Sequence, residues 1–168
     1  MIERELTYLA RLIPDGMERC PSKEIVDLYV PQSSDHPVLR IRKNGENYEM
    51  TKKEPISGHD SSEQTEQTIR LTREEFEELA ACGGKRSRKM RYYFPSSGRT
   101  AEIGVFKDAL EGLVLVDFEF ETTEEKERFR MPAFCLADVT QEDFTAGGVL
   151  AGKSYKDIEP ELERYGYK

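Results

Sequence analysis

Positive charge is in short supply: 25 lysines and arginines stand against 33 aspartates and glutamates, a formal net charge of −8. Proteins that coat DNA or RNA neutralise phosphates with a basic surface, so nucleic acid is not an expected partner. Long apolar runs are also missing. None approaches the roughly 20 residues that a membrane-spanning helix needs, and no membrane partner is expected. The three cysteines, Cys20, Cys82 and Cys135, are odd in number and widely spaced. They read as reduced thiols rather than a disulfide framework. His36 and His59 lie far from any Cys-x-x-Cys pair, which argues against a structural zinc site. Met1-Ile2-Glu3-Arg4-Glu5 does not read as a targeting sequence, and a cytoplasmic location is expected. There is no Gly-rich Walker loop, no Ser-His-Asp or Cys-His arrangement, and no internal repeat.

What is abundant is charge itself. Charged residues make up 35% of the 168 positions, well above the usual quarter. The length suits one domain spanning residues 1–168. Alternation of period two dominates the first 120 positions. Ile2 to Ala10 reads as a strand with Glu3, Glu5 and Thr7 on one face, and Glu24 to Val30 as a second. Asn44-Gly45 predicts a two-residue hairpin of type I′, which would set Arg42 opposite Asn47 and Arg40 opposite Glu49. Lys53 then shares their face, while Leu39, Ile41, Tyr48 and Met50 share the other.

Pro55 to Glu63 reads as a mobile loop, and Gln64 to Leu71 as a strand carrying Glu66 on its polar face. Thr72 and Glu75 form a capping box for a helix over 73–81. Lys85 to Phe94 and Arg99 to Phe106 form a second hairpin. A four-residue turn there would place Arg91 opposite Glu102 and Lys89 opposite Gly104. Leu113 to Glu121 shows Asp117, Glu119 and Glu121 on one face and Val116, Phe118 and Phe120 on the other. Thr122 or Thr123 caps a short helix, Met131 to Leu136 is an apolar segment, and Thr140 is read as the cap of a further turn. Ser154 to Tyr165 reads as a helix started or bent near Pro160.

An antiparallel sheet commonly turns its polar face to water. The sorting of charges here points elsewhere. Arg40, Arg42, Lys53, Lys89 and Arg91 gather on two hairpins, whereas Glu3, Glu5, Asp117 and Glu119 gather on the first and last strands. Like charges two apart on a strand repel unless something neutralises them. A polyphosphate would satisfy the cations and a divalent metal the carboxylates. Closing the sheet into a barrel would bring both sets into one lumen.

With these motifs in order, the chain resembles the CYTH, or triphosphate tunnel metalloenzyme, family along nearly its whole length. Glu3-Arg4-Glu5-Leu6-Thr7 resembles the family's opening Glu-x-Glu-x-Lys strand, and Leu39-Arg40-Ile41-Arg42 its paired-arginine strand. Met50-Thr51-Lys52-Lys53, Lys89-Met90-Arg91-Tyr92 and Leu115-Val116-Asp117-Phe118-Glu119-Phe120 resemble later elements, as does Asp138-Val139-Thr140. The resemblance implies an α+β fold: a closed eight-stranded antiparallel β-barrel with helices packed outside. It implies Mg2+ or Mn2+ held by Glu3, Glu5, Asp117 and Glu119. It implies a triphosphate gripped by Arg40, Arg42, Lys53, Lys89 and Arg91, with Glu5, Glu66 and Glu102 as the catalytic carboxylates. The expected partner is a small-molecule triphosphate, and a homodimer is left open. The implied activity is hydrolysis of tripolyphosphate, thiamine triphosphate or a nucleoside triphosphate. Binding without cleavage and adenylate cyclisation stand as alternatives. Thr7 replaces the family's lysine, Gly104 a common aspartate, and Gly147-Gly148 the usual Tyr-x-Asn tail.

Overall fold

The computed structural model describes all 168 residues. Nine strands form one antiparallel sheet: β1 (Ile2–Ala10), β2 (Ser22–Val30), β3 (Leu39–Asn44), β4 (Asn47–Pro55), β5 (Glu63–Leu71), β6 (Lys85–Ser96), β7 (Arg99–Phe106), β8 (Val114–Glu119) and β9 (Cys135–Asp138). Their order is β5-β4-β3-β2-β6-β7-β8-β1-β9, and β5 also pairs with β1. Eight strands thus close on themselves, and β9 extends the flank of β1. Closure removes the exposed edges that an open sheet would present.

The chain also forms four α-helices, α1 (Arg73–Ala81), α2 (Thr123–Arg128), α3 (Gly147–Leu150) and α4 (Tyr155–Glu163), and three single-turn 3-10 helices. The reciprocal Thr72–Glu75 capping box opens α1, as the sequence predicts. Phe76 of α1 then packs on Tyr48 of β4, ring centroids 5.2 Å apart. Thr122 caps α2. Helix α4 begins at its own capping box, Ser154 with Asp157, in keeping with the helix expected from Ser154, and Pro160 lies inside it rather than at its start. Thr140 caps no helix. Its hydroxyl instead donates to Asp138 and accepts the Thr7 N–H.

Both expected hairpin registers shift by two residues. Gly45 and Glu46 are the loop of the first hairpin, and Gly45 has φ 60°. Glycine at the first loop position is the type II′ arrangement. Arg42 therefore pairs with Glu49 and Arg40 with Thr51. In the second hairpin Ser97 (φ 51°) and Gly98 (φ 76°) make a tight two-residue turn. Arg91 lies opposite Gly104, and Lys89 opposite Phe106. A shift of two keeps every side chain on its expected face, because the strand period is two.

The apolar residues divide into two cores. One wraps the outside of the barrel: Ile103, Val116, Phe118 and Phe120 face outward and pack with Met17 and Cys135. Phe129 covers this patch, its ring centroid 4.6 Å from that of Phe118. Phe118 is fully buried, so Phe118→Ala is expected to cost about 3–5 kcal/mol, read as a lower urea midpoint with an unchanged slope. The other core stops one end of the barrel. Leu9, Phe106 and Leu115 continue the inward-facing rows of β1, β7 and β8, and they meet Phe144, Leu150, Ile158 and Leu162 from the C-terminal segment. Gly147 and Gly148 permit this approach. A Cβ at Gly147 would strike the Tyr29 hydroxyl, and one at Gly148 the Pro37 carbonyl.

Candidate functional site

The barrel encloses a cavity of about 830 Å³ whose walls are mostly polar side chains. The rows predicted to face inward do so. β1 contributes Glu3, Glu5 and Thr7; β3 contributes Arg40 and Arg42; β4 and β5 contribute Lys53 and Glu66. Lys89 and Arg91 come from β6, Glu102 from β7, and Asp117 and Glu119 from β8. Side chains far apart in sequence thus share one lumen.

At its acidic side, Glu5 pairs in register with Glu119. Glu3, Glu5 and Glu119 can each place a carboxylate oxygen within 4.8 Å of the others. Burial first, and then the charges of Asp117 and Glu3, push Glu5 up to about 8 against the pull of Lys53 and Arg91. Burial, with Glu102 and Glu3, also raises Glu119. This cluster lacks enough positive charge of its own. An all-oxygen donor set of this kind suits a hard divalent cation such as Mg2+ or Mn2+, so the residues present fit a metal. Asp117 lies outside the three-carboxylate group. It sits one pleat along, opposite Thr7, whose hydroxyl donates to it at 2.7 Å.

The cations are mostly paired. Lys53 reaches Glu3 at 2.5 Å and Glu66 at 3.6 Å, and Arg91 reaches Glu102 at 2.7 Å. Arg42 donates from Nε and Nη2 to both oxygens of Asp27, at 2.6 and 2.8 Å. Arg40 is different. It is 8% exposed, its Nη2 lies 3.9 Å from Glu49, and its buried Nε has no hydrogen-bond partner. Lys89 makes no ion pair. Its chain lies over Gly104, where a Cβ would come within 3.1 Å of Cδ, and its ammonium stands 5.2 Å from the Phe106 ring centroid. Burial, then the neighbouring Arg91, lowers Lys89 to about 8.

Asp27 was not among the residues singled out from sequence. Its only signal was an aspartate inside the apolar run Ile25-Val26-Asp27-Leu28-Tyr29-Val30, a position where aspartate is depleted. The segment read from sequence as a mobile loop, Pro55 to Glu63, is hydrogen-bonded to Gln141. Ser61 N–H donates to Gln141 Oε1, and Gln141 Nε2 donates to Asp60 Oδ1, each at 3.0 Å. Asp60 in turn accepts from the Ser62 N–H and hydroxyl. His36 and His59 both stand in loops that border the cavity.

The same clasp completes the barrel. The ladder between β1 and β5 covers only Ile2 to Arg4 on β1. Beyond it the Glu5 N–H donates to the Ser62 carbonyl and the Thr7 N–H to the Thr140 hydroxyl, each at 3.0 Å. Pairing with β9 resumes at Tyr8.

No family model matches the chain. An inorganic triphosphatase of Nitrosomonas europaea is 32% identical over 145 residues, which cover 84% of this chain and 91% of that protein. The crystal structure of an inorganic triphosphatase matches with a TM-score of 0.64 at 26% identity, over 90% of this chain and 95% of the other. A Pyrococcus horikoshii protein shares the fold alone, with a TM-score of 0.53 at 19% identity, over 99% of this chain and 91% of that one. A closed eight-stranded barrel with helices outside, an inward-facing set of opposed charges, and a triphosphatase as a relative across most of both chains lead to one assignment: the chain belongs to the CYTH, or triphosphate tunnel metalloenzyme, family.

Proposed function

We propose that the protein is a metal-dependent triphosphatase and that inorganic tripolyphosphate is its first substrate, with thiamine triphosphate and nucleoside triphosphates as competitors. The observation that carries this reading is the convergence of Arg40, Arg42, Lys53, Lys89 and Arg91 with Glu3, Glu5 and Glu119 around one enclosed cavity. The name of the Nitrosomonas relative favours the inorganic substrate.

In this reading Glu3, Glu5 and Glu119 hold Mg2+ or Mn2+, with Asp117 beside them. A bound divalent ion supplies Lewis-acid neutralisation of phosphoryl oxygens. The guanidinium groups take those oxygens with two donors each, and the lysines act as point charges. Lys53, which lies between Glu3 and Glu66, is placed to serve the phosphate once those carboxylates are engaged elsewhere. Glu66 and Glu102 face the lumen as acceptors able to orient a water for in-line attack. Positioning and electrostatics suffice for such a reaction, and no protein nucleophile is required.

The raised Glu5 gives a pH signature. Below about pH 8 its carboxyl holds a proton in the metal-free protein, and cation binding has to displace it. Apparent Mn2+ affinity is therefore expected to rise by up to about tenfold per pH unit from pH 6 to 8 and then level off. Calorimetry in two buffers of different ionisation heat reads both the affinity and the released proton.

The function itself is tested by phosphate release from tripolyphosphate, thiamine triphosphate and ATP with Mg2+ or Mn2+. The highest kcat/KM is expected for tripolyphosphate, and no turnover of any of the three by folded protein removes the proposal. A second reading, triphosphate binding without cleavage, is motivated by Thr7. Its hydroxyl stands in the lysine position and engages Asp117. Tight metal-linked binding with no turnover would select it.

A further inference from the structure

One buried carboxylate of the ionic lumen has no place in the proposed reaction. Asp27 sits midway along β2, opposite Arg42 of β3 and Ser87 of β6. It is 4% exposed, and its side-chain hydrogen bonds go to Arg42 alone. It takes no part in the Glu3, Glu5 and Glu119 group. Burying a carboxylate is costly, and an aspartate in a strand interior runs against local preference.

We propose that Asp27 is a positioning and affinity-setting residue: a resident carboxylate that fills the Arg42 fork as a phosphate would, so that an incoming polyphosphate has to compete with it. The proposal rests on the phosphate reading of the tunnel given above.

The geometry supports this in three ways. The two bonds from Nε and Nη2, at 2.6 and 2.8 Å, form the side-on fork by which arginine takes either a carboxylate or a phosphate. Asp27 also lies 4.0 Å from Arg40 Nε, the buried donor without a partner. The fork of Arg42 is thus occupied, whereas Arg40 has only the longer contacts to Asp27, at 4.0 Å, and to Glu49, at 3.9 Å. Burial would raise Asp27, but Arg42 first, then Arg40 and Lys89, outweigh it and hold the group far below the usual carboxylate range. Its charge is therefore constant through neutral pH.

That charge acts in opposite directions on the empty and the loaded protein. Without ligand it removes the cost of leaving Arg42 buried and unpaired. With ligand it is a like charge beside the incoming anion. Removing it should lower stability and raise anion affinity together. An ion pair with a merely structural role predicts a loss of stability with no gain in affinity.

The test is tripolyphosphate binding measured by calorimetry in EDTA, where turnover does not compete, on wild type and Asp27→Asn. The variant is expected to melt several degrees lower and to bind tripolyphosphate about tenfold more tightly. Folded Asp27→Asn with unchanged or weaker affinity overturns the proposal. Should that variant not fold, Asp27→Ser, which also leaves Arg42 in place, is compared with wild type in the same way. Tighter binding by Asp27→Ser supports the proposal, and equal or weaker binding overturns it. If neither wild type nor any folded variant binds or cleaves tripolyphosphate, in EDTA or with Mg2+, the phosphate reading of the tunnel falls and takes this inference with it. Wild-type binding without the Asp27 effect sinks the inference alone.

Discussion

Replacing Glu5 by glutamine is expected to cut tripolyphosphate turnover at least about a hundredfold while leaving the metal-free protein more stable at pH 8. Glutamine keeps the size of the side chain and removes the anionic oxygen that the proposed cation needs. Mn2+ affinity should fall in parallel, which separates loss of the ion from misfolding. The stability gain follows from linkage. Glu5 is raised to about 8 in the folded chain, above the range of a free carboxyl. Between those two values the folded state holds the extra proton, so stability falls as pH rises toward 8. Glutamine has no such dependence. Thermal melts of both proteins at pH 5 and pH 8 should therefore diverge with rising pH, the variant melting higher at the upper end. A variant that melts lower at pH 8 would contradict the burial-driven shift.

The second large effect distinguishes the two arginines of β3. Arg40→Ala removes a guanidinium whose Nε has no partner in the empty tunnel. Loss of charge-assisted contacts to phosphate is expected to raise KM for tripolyphosphate roughly 10–100-fold, with a small change in melting temperature. Arg42→Ala should also weaken binding, but it strands the buried Asp27 carboxylate. Breaking a buried ion pair from one side costs about 3–5 kcal/mol, so this variant should melt far lower. Equal stability for the two variants would contradict the assignment of Asp27 to Arg42.

Much of this arrangement was legible in the sequence because a strand has a strict two-residue period. Arg40 and Arg42, Lys89 and Arg91, and Asp117 and Glu119 each share a face whatever the hairpin register. Both registers came out two residues away from expectation, and the lumen was unaffected. Capping chemistry was equally local: Thr72 with Glu75 defines the start of α1 from four adjacent residues. What escaped was non-local. β9 is a four-residue strand behind Pro132, and its place beside β1 depends on an irregularity between Leu9 and Ala10. Leu9, Phe106 and Leu115 lie on the same faces as the charged rows. Their role in stopping the barrel emerges only once the C-terminal segment is seen against them. Asp27, one acid within the apolar run 25–30 of β2, shows nothing of its partner until β2 and β3 are aligned.

The incomplete ladder along β1 has a mechanical meaning. A cylinder of eight staves opens first where two are least securely joined, and here that joint runs beside Glu5. Lys53 of β4 already rivets it, reaching Glu3 on one stave and Glu66 on the next. Whatever draws Lys53 away loosens the wall, and whatever replaces its charge between the same carboxylates refastens it, so occupancy of the lumen and the tightness of the whole cylinder rise and fall together.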